Sequence, residues 1–304
     1  MPSKIRLILA AVSLSLAGCA ALAQTKDIPP GELNELSEPM LYEFLLGEIA
    51  LQRGDDSLAA QTFLDLAKRT RDPRVARRAV EVANQARMPE LALEAAKTWQ
   101  ELDPSSSHAL QVLAALLIAG KRVDEAQPYL EKLLATDGVN LQNGFMQLNR
   151  LLAGNPDKAA NLRVVRNLAA KHPTLPQAHV AVAQAAAAAG QDDAAIEAIH
   201  RAAALRPDWE LAALLEAQIA QRRSSAAAAK VLEDFIAKNP NSREARLNYA
   251  RLLVLDKRLP EARKQFEAVL AANPGNTEVI YAVGLLAFQL KDYPVAEENM
   301  KRLL

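Results

Sequence analysis

Apolar and polar residues repeat along most of the chain with a period of about 34 residues, most clearly between Pro176 and Pro274. Each block holds an apolar helix, a polar turn and a second helix that carries an alanine. Ala195, Ala228 and Ala262 are each followed twelve residues later by a proline. The pattern predicts a series of helix pairs, and the runs of alternating Val, Ile and Thr that strands need are missing.

The same register extends over residues 40–304 and predicts eight units. The alanine position is held by Ala59, Ala92, Ala126, Ala195, Ala228, Ala262 and Ala296, with one degenerate unit near Ala160 and Asn161. The closing position is held by Pro104, Pro173, Pro207, Pro240 and Pro274, with Pro73 two residues late and Gly138 replacing a proline. This period with these markers is typical of tetratricopeptide (TPR) repeats. The expected fold class is therefore all-α, a TPR superhelical solenoid of about eight helix-turn-helix repeats over residues 37–304.

Helix starts are marked by residues that favour N-caps. Asp72 precedes Pro73, and Ser107, Ser242 and Asn276 stand at the expected starts of later helices. Their side-chain oxygens can accept hydrogen bonds from the first free N–H groups of a helix.

Two parts of the repeat pattern are irregular. In the fourth unit, residues 141–173, Asn161 takes the alanine position and Pro156 lies in the turn. We expect a local change of packing or curvature there, either a bend used in binding or sequence drift. The last unit stops at Leu304 before any closing proline, so we expect it to be incomplete and the natural chain to continue into further repeats.

The first residues resemble a bacterial lipoprotein signal. Lys4 and Arg6 precede an apolar run of eleven residues, which ends in Leu16-Ala17-Gly18-Cys19 and is too short to span a membrane. The resemblance implies a signal peptide over residues 1–18 and a Cys19 that carries acyl chains, palmitate among them. The alternative is an ordinary secretory signal that happens to contain a cysteine. Cys19 is the only cysteine, so an intrachain disulfide is excluded.

Residues 19–36 read as a lipidated cysteine followed by a flexible tether, because they are polar and contain Pro29-Pro30-Gly31. In such lipoproteins an aspartate directly after the cysteine favours retention in the inner membrane. That position here is Ala20. The resemblance therefore implies anchoring at the periplasmic face of the outer membrane.

The charge of the chain gives little indication of a nucleic-acid partner. The net charge is zero, with 36 basic and 36 acidic residues, and loss of Lys4 and Arg6 leaves 34 against 36, or −2. Six basic residues nevertheless crowd one stretch, namely Lys68, Arg69, Arg71, Arg74, Arg77 and Arg78. They indicate either an anionic partner near the anchor, with Arg77 facing it, or a solvated helix end.

No arrangement of residues indicates catalysis. The four histidines are scattered, no His pair has metal-ligand spacing, and no phosphate-binding glycine loop or nucleophile motif is present. We therefore expect no catalytic residue, no metal, no cofactor and no enzymatic activity.

The first helix of a TPR unit lines the concave side of the solenoid, so its outward residues predict a groove for a partner. The candidate groove residues are Phe44, Glu48, Arg77, Glu81, Asn84, Gln111, Met146, Arg150, Gln184, Arg251, Tyr281 and Phe288. Such a groove can hold an extended or helical segment of another protein. The alternative is that the alanine-rich stretches serve only helix packing.

The stretch from Leu41 to Ala50, with Arg53-Gly54-Asp55 and the residues from Arg71 to Ala79, resembles the opening of a family of proteobacterial TPR outer-membrane lipoproteins, here called LbcA-like. Members of that family bind a periplasmic carboxyl-terminal processing protease together with its peptidoglycan-hydrolase substrates, and their chains are longer. The resemblance implies a non-catalytic scaffold or adaptor in the cell envelope. Later repeats match only the general TPR pattern, and a shared fold does not by itself give a function.

Three alternatives remain open from the sequence. One is an assembly factor for outer-membrane β-barrels or for a type IV pilus secretin. Another is an envelope enzyme whose active site lies beyond Leu304. A third, association of identical chains through the terminal helix, is compatible with any of these.

Overall fold

The computed structural model of the protein describes residues 38–135 and 140–304, which form sixteen α-helices. They are α1 Glu38–Gln52, α2 Asp56–Thr70, α3 Pro73–Gln85, α4 Pro89–Leu102, α5 Ser107–Ala119, α6 Val123–Ala135, α7 Leu141–Leu151, α8 Lys158–Ala169, α9 Pro176–Ala188, α10 Asp192–Leu205, α11 Glu210–Gln221, α12 Ser225–Lys238, α13 Arg243–Leu255, α14 Leu259–Ala272, α15 Thr277–Gln289 and α16 Tyr293–Lys301. One turn of 3-10 helix, Leu152–Gly154, follows α7. The all-α class expected from the sequence is confirmed.

The helices form eight successive helix-turn-helix units, as the repeat register predicts. We call the odd-numbered helices first helices and the even-numbered ones second helices. In most units a second helix packs against the first helix of its own unit and against that of the next. First helices α7, α9, α11 and α13 also contact one another in order, as do second helices α2 with α4 and α6 with α8. The chain is therefore a two-layered solenoid with one layer of each kind of helix.

The alanine position lies where the two helices of a unit approach most closely. Ala59, Ala92, Ala126, Ala195, Ala228 and Ala262 have no exposed surface, and each is the fourth residue of its second helix. A glycine in a first helix allows a similar approach, because a Cβ placed on Gly47 would lie 2.9 Å from the fully buried ring of Phe63. Small side chains at these positions thus set the spacing between the layers.

The turn between the two helices of a unit uses a left-handed residue at one fixed position. Five residues before the buried alanine, φ is positive at Gly54, Arg87, Lys121, Gly190, Lys257 and Lys291. At Lys121 this conformation lets the next N–H, that of Arg122, donate to the carbonyl of Leu117 at 2.8 Å. The first helix is closed by its own backbone, and the chain reverses into the second helix.

Prolines and N-caps separate one unit from the next. Pro104, Pro207, Pro240 and Pro274 each lie two residues after the end of a second helix, where a proline cannot continue the helix. Asp72 accepts from the N–H of Arg74 at 2.8 Å and Asn276 from that of Val279 at 3.2 Å, as predicted.

The prediction for Ser107 was wrong by one residue. Ser106 has the extended backbone of an N-cap and accepts from the N–H of Ala109 at 3.2 Å, so Ser107 is already inside α5. Ser242 takes the N-cap position of α13 but makes no capping hydrogen bond.

The fourth unit replaces the alanine by a buried hydrogen-bond network. The Asn161 amide donates to the carbonyl of Leu152 at 2.9 Å, and its oxygen accepts from the Asn155 amide at 2.8 Å. Both asparagines are buried, and the longer connection between α7 and α8 gives them room. As a result α7 packs against α9 of the next unit rather than against its own partner α8.

Several predictions fall outside the part of the chain that the structure describes. These are the signal peptide of residues 1–18, the lipidated Cys19 with its tether to residue 36, and Gly138 as a closing residue. Among the helices of residues 38–135 and 140–304, none combines the length and apolar character needed to cross a bilayer.

The contact between Gly47 and Phe63 can be tested by adding side-chain volume. Gly47→Val should lower the free energy of unfolding by about 2 kcal/mol, because the added atoms overlap the fully buried ring of Phe63. Gly275→Val is the control, since a Cβ there meets no atom within 4 Å and the residue lies between helices. Urea unfolding measures both variants, and equal midpoints for the two would contradict this account of the packing.

Replacing Asn161 by the alanine of the other units should lower the stability of the protein, because it breaks the asparagine pair. Asn161→Ala removes two buried hydrogen bonds, the one to the Leu152 carbonyl and the one from the Asn155 amide, which costs about 1–3 kcal/mol. Asn155→Ala should have a similar effect, and the double variant should lose much less than the sum. Additive losses in chemical denaturation would show that the two side chains act independently.

Candidate protein-binding groove

The layer of first helices contains an apolar cleft in the second half of the solenoid. This downstream cleft has a volume of about 540 Å³ and lies between α9, α11 and α13. Leu211, Leu214 and Leu255 line it, and Leu211 and Leu255 are exposed to solvent. The amides of Gln184 and Gln218 lie at its edge. An apolar surface with a few polar groups is the usual character of a peptide-binding groove.

Helix α15, the next first helix after α13, carries a further apolar surface. Tyr281, Leu285 and Phe288 are spaced by four and three residues, so they share one helical face, and they are 54%, 40% and 61% exposed. The ring of Phe288 also meets that of Tyr293 edge to face, with centroids 5.9 Å apart. We call these three residues of α15 the aromatic face. Large apolar side chains grouped in this way on a surface indicate an interaction site.

A second cleft opens in the first half of the solenoid, next to the irregular fourth unit. This upstream cleft has a volume of about 810 Å³ and lies between α5, α6 and α7. Leucines of α6 and α7 form its apolar lining, while Gln111, Gln147 and Arg150 contribute polar groups. The clefts are adjacent, because Asn149 of α7 donates to the side-chain oxygen of Gln184, a residue of the downstream cleft, at 3.1 Å.

Six of the twelve predicted groove residues lie on these surfaces, and a seventh is exposed on α3. Gln111 and Arg150 line the upstream cleft, and Gln184 and Arg251 line the downstream one. Tyr281 and Phe288 form most of the aromatic face, and Asn84 is exposed on α3. Arg251 also makes an ion pair of 2.7 Å with Glu278 of the next first helix.

Two predicted groove residues serve the core instead. Phe44 is half-buried, and its ring meets that of Phe63 edge to face at 5.5 Å. Met146 packs against the buried residues around Val180. Both side chains join helices together, which leaves little of them for a partner.

The remaining predicted residues, Glu48, Arg77 and Glu81, belong to an ion-pair network on α1 and α3. Arg77 pairs with Glu81 at 2.9 Å, while Glu48 pairs with Arg78 at 3.1 Å across the first two units. Arg78 also lies 5.7 Å from the centre of the Phe63 ring. This network links neighbouring units.

Acidic residues neutralise most of the basic cluster near the first junction. Lys68 pairs with Glu94 at 2.6 Å, Arg69 pairs with Glu43, and Arg74 pairs with Asp72 at 2.6 Å. The Arg74 side chain lowers the pKa of the Asp72 carboxyl by hydrogen bonding to it. With Arg77 and Arg78 paired as well, the cluster is better explained as a solvated surface than as a site for an anionic partner.

The histidines have separate structural surroundings. His108 meets Trp99 and His172 meets Phe145, both edge to face, while His179 hydrogen-bonds the carbonyl of Pro173 and His200 pairs with Glu216. Across residues 38–135 and 140–304, no three His, Cys, Asp or Glu residues are grouped as a metal site would require.

Sequence reasoning missed two leucines that line the downstream cleft, Leu211 and Leu255. Leu211 was missed because α11 starts one residue late in the repeat. Its start at Glu210 lies 18 residues before Ala228, whereas the start of α13 lies 19 residues before Ala262. With that one-residue shift, Leu211 takes the outward second position of its helix.

Known proteins similar to this chain share its repeats. Residues 221–287 match a tetratricopeptide repeat family model. The TPR repeat-containing protein PA4667 of Pseudomonas aeruginosa is 27% identical over 258 residues, covering 80% of this chain. The match covers 44% of that relative, so the chain spans less than half of its length.

Solved structures of other repeat proteins resemble the chain at low identity. The C-terminal part of a TPR repeat-containing protein from Cytophaga hutchinsonii has a TM-score of 0.42 and 16% identity, covering 79% of this chain and 99% of that one. MamA from Desulfovibrio magneticus has a TM-score of 0.41 and 18% identity, covering 57% and 93%. The eight helix pairs of the chain and the match over residues 221–287 together establish the fold as a TPR solenoid.

Proposed function

We propose that the protein is a non-catalytic scaffold that binds segments of other proteins along its first helices. The observation that carries this proposal is the aromatic face of α15 together with the downstream cleft. Large apolar side chains of the first-helix layer are exposed to solvent there. A partner that covers them gains the free energy of burying apolar surface.

The finer proposal places this scaffold in the cell envelope. Residues 4–19 have the features of a lipoprotein signal, and residues 41–50 resemble the opening of the LbcA-like lipoproteins. We propose that Cys19 anchors the chain to the periplasmic face of the outer membrane. The chain then recruits a carboxyl-terminal processing protease and its peptidoglycan-hydrolase substrates. A scaffold that holds both on one solenoid raises their effective concentration without any chemistry of its own.

The groove can be tested by removing the aromatic face. We expect the double variant Tyr281→Ser, Phe288→Ser to lose at least about tenfold in recovery of its protein partners from detergent-solubilised envelopes, because both exposed rings of the aromatic face are removed. Leu58→Ser is the matched control, since Leu58 is an exposed apolar residue on a second helix. Equal recovery by the double variant and wild type would rule out this face as the binding surface.

The anchor and the partners are tested in the same experiment by mass spectrometry of the retained proteins. We expect wild type to fractionate with the outer membrane and Cys19→Ser to be released from it. Joint recovery of a processing protease and a peptidoglycan hydrolase, followed by slower hydrolase turnover when the gene is deleted, is the expected result. Recovery of barrel-assembly or pilus components, with unchanged hydrolase turnover, would replace the adaptor by an assembly factor.

A further inference from the structure

The upstream cleft is built differently from the downstream one. Its lining is formed by Leu130 and Leu148, which are almost fully buried, while Leu151 at the edge is 44% exposed. Its volume of about 810 Å³ falls within the roughly 300–1,000 Å³ of ordinary ligand sites. Gly144 lines it without a side chain, so a bound segment can approach the backbone of α7. The cleft can therefore hold apolar side chains of a partner.

Polar groups at the edge of the cleft suit the main chain of such a partner. The side chains of Gln111, Asn143 and Gln147 are exposed on the α5 and α7 sides. Each primary amide can donate to a carbonyl and accept from an N–H. An extended segment needs both kinds of partner along its backbone.

Arg150 gives the cleft a charge that has no partner among the described residues. The other arginines of the first helices have acidic or hydrogen-bonding partners, and these arginines are Arg74, Arg77, Arg78, Arg243, Arg246 and Arg251. Within residues 38–135 and 140–304, Arg150 has no ion pair or side-chain hydrogen bond. An exposed guanidinium beside an apolar cleft is complementary to a carboxylate next to apolar side chains.

We infer that the upstream cleft binds an extended partner segment whose leucine-like side chains fill the cleft and whose aspartate or glutamate side chain pairs with Arg150. This inference names the partner chemistry of the groove and rests on the proposed scaffold function. The carboxylate belongs to a side chain rather than to a chain terminus, because a segment that also occupies the adjacent downstream cleft has to continue past Arg150.

The test measures fluorescence anisotropy of the full chain with labelled peptides of about twelve residues, which span about 40 Å when extended and so exceed the spacing of about 10 Å between packed helices. Each peptide carries two leucines and one glutamate at one of several spacings and is blocked at both ends. Each has a twin with glutamine in place of glutamate. On wild type, the best glutamate peptide should bind about tenfold more tightly than its twin, since only the carboxylate forms a charge-assisted pair.

Matched variants distinguish the pair of Arg150 with the peptide carboxylate from non-specific electrostatic attraction between peptide and protein. Arg150→Gln should abolish the difference between the twins, and Leu151→Ser should weaken both. Arg201→Gln should change neither, since Arg201 is an exposed arginine on a second helix that already pairs with Glu197. The inference is wrong if no peptide binds below about 1 mM or if the difference between the twins survives in Arg150→Gln. These readings need no envelope partner, so they remain informative if the proposed scaffold function fails.

Discussion

The close approach of two helices at one small residue is the constraint on which the rest of this protein depends. Ala195, Ala228 and their equivalents have no exposed surface, and Gly47 has no room for a Cβ. Because each second helix lies close to its own first helix, the first helix of the next unit can pack against that pair. The outer surface of the first-helix layer then remains uncovered. The groove is thus a consequence of how the core is packed.

The fourth unit shows what happens when this constraint is relaxed. Asn161 is too large for the usual approach, and its hydrogen bonds to Leu152 and Asn155 replace the apolar contact. Helix α7 packs against α9 of the downstream unit instead of against α8. Two ion pairs, Asp124 with Arg163 and Glu131 with Lys171, still connect α6 to α8 and to the residues that follow it. The second-helix layer is therefore continuous where the first-helix layer is open. The upstream cleft lies at that opening.

The repeat units and their boundaries could be predicted from the sequence, because they depend on the size and chemistry of single residues. The alanines, the closing prolines and the capping Asp72 each have one physical role, so their spacing predicts eight units. The left-handed turns were not predictable, because four of the six residues that adopt them are Lys or Arg, which have no preference for that conformation. The groove was predicted only in part. Phe44 and Tyr281 occupy equivalent positions, but Phe44 packs on Phe63 while Tyr281 faces solvent.

Charge and apolar surface have different roles in the specificity of such a solenoid. Ion pairs such as Arg251 with Glu278 join neighbouring first helices, and they are exposed, so they contribute little stability and attract few outside charges. A partner therefore gains most where pairing and packing within the chain are incomplete. The aromatic face supplies uncovered apolar area, and Arg150 supplies a charge beside an apolar cleft that no residue of 38–135 or 140–304 pairs with. These features lie in different units of the same layer, so one extended segment can contact both of them. The position of the acidic residue in that segment then sets the direction in which it binds.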